Sequence, residues 1–353
     1  MVVVQMELGA RHFKIPRWTI AGLFYAVSIA SLVWVFYGID LNVVLDDFRS
    51  MHWGWLALAV VSDIGVYAYQ GWRWGLLLRP FERVPVWRSI QAIYVGLFAN
   101  EVLPFRPGEV IRSYLQARWS KIPFSVALSS VIIERIFDGI WLIAVFAVTC
   151  TQVQLPKRVV DLAIGLGVVT LGATVFLGLV MFWKHHAHAA VAATRWGASL
   201  RVLVEDLHLM GRSASFYAAA AASLPYLLIQ AIPIYAMIRG YDLDLTIWQV
   251  LVVLVIYRLG TAIPQLPGNV GLSQTAIVIA LAMFGVDKTT ATGLSVVTWG
   301  VITAPLVLAG FIALLITGGN ITDLHRDARA HASGPMGAHA PQPATGSSRP
   351  SQP

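Results

Sequence analysis

The sequence has a single cysteine, Cys150, among 353 residues. No disulfide can form within the chain, and a cysteine-based metal site has no footing. Charge is also scarce: Asp, Glu, Lys and Arg make up 12% of the residues, about half the share of a soluble globular chain. That deficit excludes an ordinary soluble enzyme, a nucleic-acid-binding domain and a disordered protein. Soluble catalytic signatures are missing too. There is no G-x-S-x-G elbow, no Walker A loop, no H-E-x-x-H pair and no dinucleotide fingerprint. No cofactor, metal ion or nucleic-acid partner is expected. The histidine run His185, His186 and His188 reads as a solvated helix end.

What is present is apolar. Hydrophobic residues make up 57% of the chain and the mean hydropathy is +0.69. Thirteen tryptophans fit a membrane protein, because Trp collects at bilayer interfaces. The net charge of +7 then marks cytoplasmic loops and anionic headgroups. A spanning helix needs about 20 mostly apolar residues. Segments 18–37, 52–78, 123–150, 158–183, 213–238 and 290–317 qualify. The apolar pieces 89–103, 245–263 and 270–286 are short or run into Pro and Gly. The predicted fold is therefore an all-α polytopic membrane protein. It has six long spanning helices plus two broken or re-entrant helical elements.

Loop charges orient it. Arg11, Lys14 and Arg17 put the segment 1–17 in the cytoplasm, and no removable signal peptide is read there. Arg79, Arg83 and Arg88, then Arg106, Arg112, Arg118 and Lys121, mark two consecutive inside stretches. The piece 89–120 is accordingly expected to dip in and return, and the pair 245–286 to do so from the other side; the other reading counts these segments as ordinary crossings, giving eight or more. The transmembrane domain is placed at 18–318, followed by a disordered cytoplasmic tail, 319–353, rich in Ala, Gly, Pro and Ser. Both termini fall in the cytoplasm of a multi-pass inner-membrane protein. Lys157 and Arg158 sit against this scheme.

The most informative pattern is internal. Pro104-Phe105-Arg106-Pro107-Gly108 and Pro264-Gln265-Leu266-Pro267-Gly268 share P-x-x-P-G at a spacing of 160 residues. Each lies between a broken element and a long span. This predicts repeat units of about 52–150 and 213–317 in opposite orientation, an inverted-topology repeat of the kind secondary transporters use. Proline lacks an N–H and glycine permits unusual backbone geometry, so each motif should break its helix. Freed amides at half-helix ends can face an anion. A purely structural kink is the other reading of each motif.

Charges inside apolar segments mark candidate site residues, because a lone charge on a lipid face is costly. Glu134 and Asp138 share one helix face, and Arg135 is placed to pair with Asp138. These three read as a polar gate or as an ion-pair clasp between helices. Arg258 is the only basic residue between Arg239 and Lys288; it can meet a phosphate or neutralise Glu134 or Asp138. Arg106 and Arg112 flank the first break near Glu109, and a guanidinium forks well onto phosphate oxygens. Asp63 interrupts helix 52–78 and reads as the packing partner of an arginine rather than as a proton carrier. Asn269 and Gln274 are polar positions after the second break.

Three of these motifs carry a resemblance. Asn100-Glu101-Val102-Leu103-Pro104-Phe105-Arg106-Pro107-Gly108-Glu109-Val110-Ile111-Arg112 resembles the N-x-x-L-P-x-R-x-G-E-x-x-R signature of the lysylphosphatidylglycerol synthase transmembrane-region family. Glu134, Arg135 and Asp138 match its E-R-x-x-D element, and Pro267-Gly268-Asn269-Val270-Gly271 is similar to its P-G-G-x-G element. The likeness runs through about residues 18–318. The family usually has Glu where this chain has Gln274, and Gly where it has Asn269. No counterpart of the soluble aminoacyl-transfer domain is found. The resemblance implies a lipid transporter or flippase, moving an anionic phospholipid or a polyprenyl-linked glycolipid between leaflets. Arg106, Glu109, Arg112, Glu134, Arg135, Asp138, Arg258, Asn269 and Gln274 would form its substrate site. Two other readings stay open: a transferase acting on lipid headgroups, and a non-catalytic partner of a glycosyltransferase or lipid synthase.

Overall fold

Apolar runs punctuated by Pro, Gly and capping side chains dictate the architecture. The computed structural model describes residues 17–103, 106–157, 205–262 and 267–318, with single positions within 159–172 and 324–329. The expected helix 158–183, the segment 1–16, most of the tail, and Pro104 and Pro264 fall largely or wholly outside the described residues. The described elements are all helical. They are α1 (Arg17–Phe36), α2 (Leu41–Ser50), α3 (Trp53–Leu78), α4 (Val86–Val102), α5 (Gly108–Ser120), α6 (Phe124–Gln152), α7 (Ala214–Ile229), α8 (Ala231–Gly240), α9 (Ile247–Ala262), α10 (Leu272–Ala282) and α11 (Lys288–Thr317).

Local chemistry sets the boundaries. Gly38, at φ 72°, closes α1, and the Asp40 carboxylate accepts from the Asn42 amide to start α2. The predicted spans omit α2: its two aspartates and one arginine masked a one-sided apolar pattern. Prolines 85, 107 and 123 stand before α4, α5 and α6. The long segment 213–238 forms as α7 and α8, divided at Gln230 between Pro225 and Pro233. Asp287 caps α11 through the Thr290 amide, and Gly318 in the left-handed region ends it.

Among the described residues, 214–240 and 288–317 are long and apolar enough to cross a membrane by length and composition. Only 28% of the most apolar window of α11 is buried, although its mean hydropathy is 2.3. The rest of that window is apolar surface suited to hydrocarbon. Helices α3 and α6 have the length, at 26 and 29 residues, but carry buried charges.

Both broken elements form. Helices α4 and α5 are separate and pack side by side, as are α9 and α10. Their lengths, 17, 13, 16 and 11 residues, give about 16–26 Å at 1.5 Å per residue, short of a ~30 Å core. Backbones come very close at Gly108, where an added Cβ would clash with the Gly96 carbonyl. In the second pair, Gly260 meets Leu272 and Ala276 in the same way. Among the described residues, two of the apolar cores flank the breaks. One joins Trp74, Leu77, Ile93, Ile111, Leu115 and Ile133 of α3–α6. The other joins Leu227, Ile234, Ile238, Val250, Leu254 and Ile277 of α7–α10.

Candidate functional site

A buried ionic ladder ties three helices of the first half together. Arg73 of α3 donates to Glu134 at 3.2 Å, to Asp138 at 2.5 Å and to the Ser223 hydroxyl of α7 at 2.8 Å. Its guanidinium lies over the Tyr226 ring, 4.1 Å from the centroid. Arg112 of α5 bonds Glu109 at 2.5 Å and Glu134 at 2.9 Å, and lies over Trp74. Arg135 pairs with Glu109 and reaches Asp138 at 3.6 Å. Three guanidinium groups thus meet three carboxylates, and the set is neutral. Arg73 and Glu134 are each 1% exposed, so each needs the other: an unpaired charge there is far costlier than a paired one.

The two breaks meet. In the first, Arg106 sits at φ 51° and Gly108 opens α5, its amide donating to the Asn100 side chain at 2.7 Å. In the second, Gly268, Asn269 and Gly271 all have positive φ, which frees carbonyls and amides from helical bonding. Arg106 donates to the Thr261 carbonyl at 2.5 Å, and Asn269 donates to the Glu101 carboxylate at 2.8 Å. Trp299 of α11 clamps the Gly268 carbonyl at 2.6 Å.

Between the halves lies a cavity of about 540 Å³. Arg106, Glu109, Arg135, Asp138, Arg258 and Asn269 all line it, so the structure brings together six of the nine site residues expected from the sequence. Glu134 and Arg112 lie behind this wall, consumed by the ladder. Gln274 also faces away; its carbonyl oxygen accepts from the Gly271 amide at 2.7 Å and from Ser273, so it builds the start of α10. Among the structural breaks, Pro107, Pro267 and Gly268 fall at helix starts and turns, as their chemistry requires.

Two expectations are corrected. Arg258 does not neutralise Glu134 or Asp138; Arg73 and Arg112 do so. Among the described residues, the Arg258 guanidinium makes no ion pair or hydrogen bond and faces the cavity. Asp63 is not an arginine's partner: it is buried and lines the cavity without an ion pair. Sequence reasoning missed Arg73, Ser223 and Tyr226. Arg73 sits in Gln70-Gly71-Trp72-Arg73-Trp74 near a helix end, where an arginine looks like a loop anchor. Its charge inside an apolar window was the available signal.

An apolar groove of about 460 Å³ runs beside the cavity between α4 and α11, lined by Phe98, Trp299, Val307, Leu308 and Phe311. Thr303 lines both spaces.

The family model described as "Lysylphosphatidylglycerol synthase TM region" matches residues 20–310. A "UPF0104 membrane protein" of Methanothermobacter thermautotrophicus is 21% identical over 280 residues, which cover 74% of this chain and 83% of the relative.

Proposed function

The chain belongs to the lysylphosphatidylglycerol synthase transmembrane-region family, and from that premise we propose that it moves a membrane lipid between leaflets by way of the cavity between its two halves. One observation carries the reading: the two helix breaks meet at a polar hollow that holds an uncommitted cation, Arg258, beside an apolar groove. A lipid has this same division. Its phosphate would sit against Arg258 and Arg106, which suit phosphate oxygens, and its chains would follow the Phe98–Phe311 groove. The arrangement of Arg73, Arg112, Arg135, Glu109, Glu134 and Asp138 would hold the cavity wall rigid.

The halves read as an inverted-topology repeat. Shifted by 160 residues, α3–α6 fall in register with α7–α11. Under that shift Glu101 and Thr261 are counterparts. Each accepts a hydrogen bond from the break of the opposite half. Such reciprocity is what a two-fold axis through the cavity would produce. Alternating access would then follow from one half rocking on the other, in a protein whose long helices span the inner membrane. Glu109, Glu134 and Asp138, the carboxylates that the transferase reading would use as a base, are all held by arginines.

Reconstitution in liposomes with headgroup-labelled anionic and zwitterionic phospholipids tests this. Leaflet exchange above that of protein-free vesicles is expected for the intact protein, falling at least tenfold in Arg258→Ala. Absence of exchange with every lipid tried would overturn the proposal.

A further inference from the structure

Asp63 is the buried carboxylate that the ladder leaves out. It is 6% exposed, lies on α3 and lines the cavity. It has no ion-pair or hydrogen-bond partner among the described residues. The groups around it are phenols: Tyr67 on its own helix, Tyr94 on α4 and Tyr257 on α9 lie within its electrostatic reach. The Tyr94 hydroxyl is itself buried and unsatisfied. Other elements bring charged groups that are engaged elsewhere. From α4 comes Glu101, held by Asn269. From α6 come Arg135 and Asp138, held in the ladder. From α7 comes Tyr226, stacked under Arg73. Helix α8 brings only Tyr235 and Arg239, bonded to each other, and α11 has a single charge, Lys288, at its start. Arg258 faces the same cavity from α9 but makes no ion pair with Asp63.

Charge balance says what such a group does. The six ladder charges cancel. What remains in the cavity wall is Arg106 and Arg258 against Glu101 and Asp63, again neutral. An entering phosphate would leave one negative charge uncompensated in a low-dielectric space, which is costly. Of the two spare carboxylates, Glu101 is fixed by Asn269 and sits within the field of Arg106. Asp63 is not fixed. Resting on the transport reading above, we propose that Asp63 is a proton-binding site that takes up one proton with each anionic headgroup and returns it to water when the lipid leaves. The proton comes from water in the cavity; the carboxylate becomes a neutral acid and later reverts. A metal cation fits less well. Asp63 lies mid-helix, where backbone carbonyls are already bonded, and no cluster of three or more metal-ligating side chains occurs among the described residues. Coordinating such an ion takes six or so oxygens.

The test uses purified full-length protein in detergent, weakly buffered with a pH indicator, titrated with dihexanoyl phosphatidylglycerol. The intact protein is expected to take up about one proton per lipid bound, and Asp63→Asn none. Linkage makes the affinity for this probe fall with rising pH, approaching tenfold per pH unit. That slope is measurable on the intact protein alone should the variant not fold. Lipid binding without proton uptake, uptake unchanged in Asp63→Asn, or a requirement for sodium would each overturn the assignment. In vesicles, exchange by the intact protein that ignores a pH gradient would also overturn it while leaving transport standing. Absence of exchange alongside proton-linked binding would retain the site and remove transport.

Discussion

At the scale of single residues, the ladder makes the sharpest stability claim. Arg73 holds Glu134, Asp138 and Ser223 at once while 1% exposed. Arg73→Met should leave Glu134 with Arg112 alone and Asp138 with Arg135 alone, and cost about 3 kcal/mol, read as a fall in the thermal unfolding midpoint in detergent. Arg135→Met, on the cavity side at 45% exposure, should cost much less, because water can reach what it leaves. The sequence showed Glu134, Arg135 and Asp138 as a polar group inside an apolar helix. It did not show their chief partner, since Arg73 lies 61 residues from Glu134 and only the packing of α3 on α6 closes that distance. For the same reason Arg112 looked like a headgroup ligand. Its position beside the first break was legible, but its consumption by Glu109 and Glu134 was not.

Helices and their breaks obey local rules, and here the sequence said more. The P-x-x-P-G motifs located both interruptions, because proline and glycine act on their own backbone whatever packs around them. Close approach is the part that needs the fold. Gly108→Ala would drive a methyl group into the Gly96 carbonyl and the Asn100 side chain, and is expected to lower stability by about 1–3 kcal/mol or more. Gly300→Ala, with open space around it, should leave the unfolding midpoint unchanged or slightly raised. The cap of α11 gives a pH prediction. Hydrogen bonds from the Thr290 and Thr289 amides hold the Asp287 carboxyl below its usual range. A lowered folded-state value means that stability is present above the unfolded carboxylate range and is lost as pH falls through the folded-state value. Asp287→Ala should therefore cost about 1 kcal/mol near neutral pH, and the gap to the intact protein should close on acidification. Unfolding midpoints at pH 7 and pH 3 check this. Helix α2 was illegible as a helix because ten residues with three charges resemble a loop, and its Asp40 cap is visible only in place.

Among the described residues, an apolar core centred on α3–α6 and another centred on α7–α10 flank a polar cavity where the two breaks touch. The all-helical, membrane-type character was readable along the chain, since apolar composition and the spacing of apolar runs are properties of sequence order. The cavity was not, because it is made by residues from eight helices and by which arginines are left unspent. Asp63 and Arg258 stand out only by what they fail to contact. If the space serves a lipid, its polar and apolar parts must be filled together. Photo-crosslinking with a phospholipid carrying a diazirine in its headgroup locates that headgroup directly. The account predicts adducts on the cavity faces of α9 and α11, near Arg258 and Thr303, lost in Arg258→Ala. Adducts confined to the outer rim of the helices, and unchanged in that variant, would contradict it.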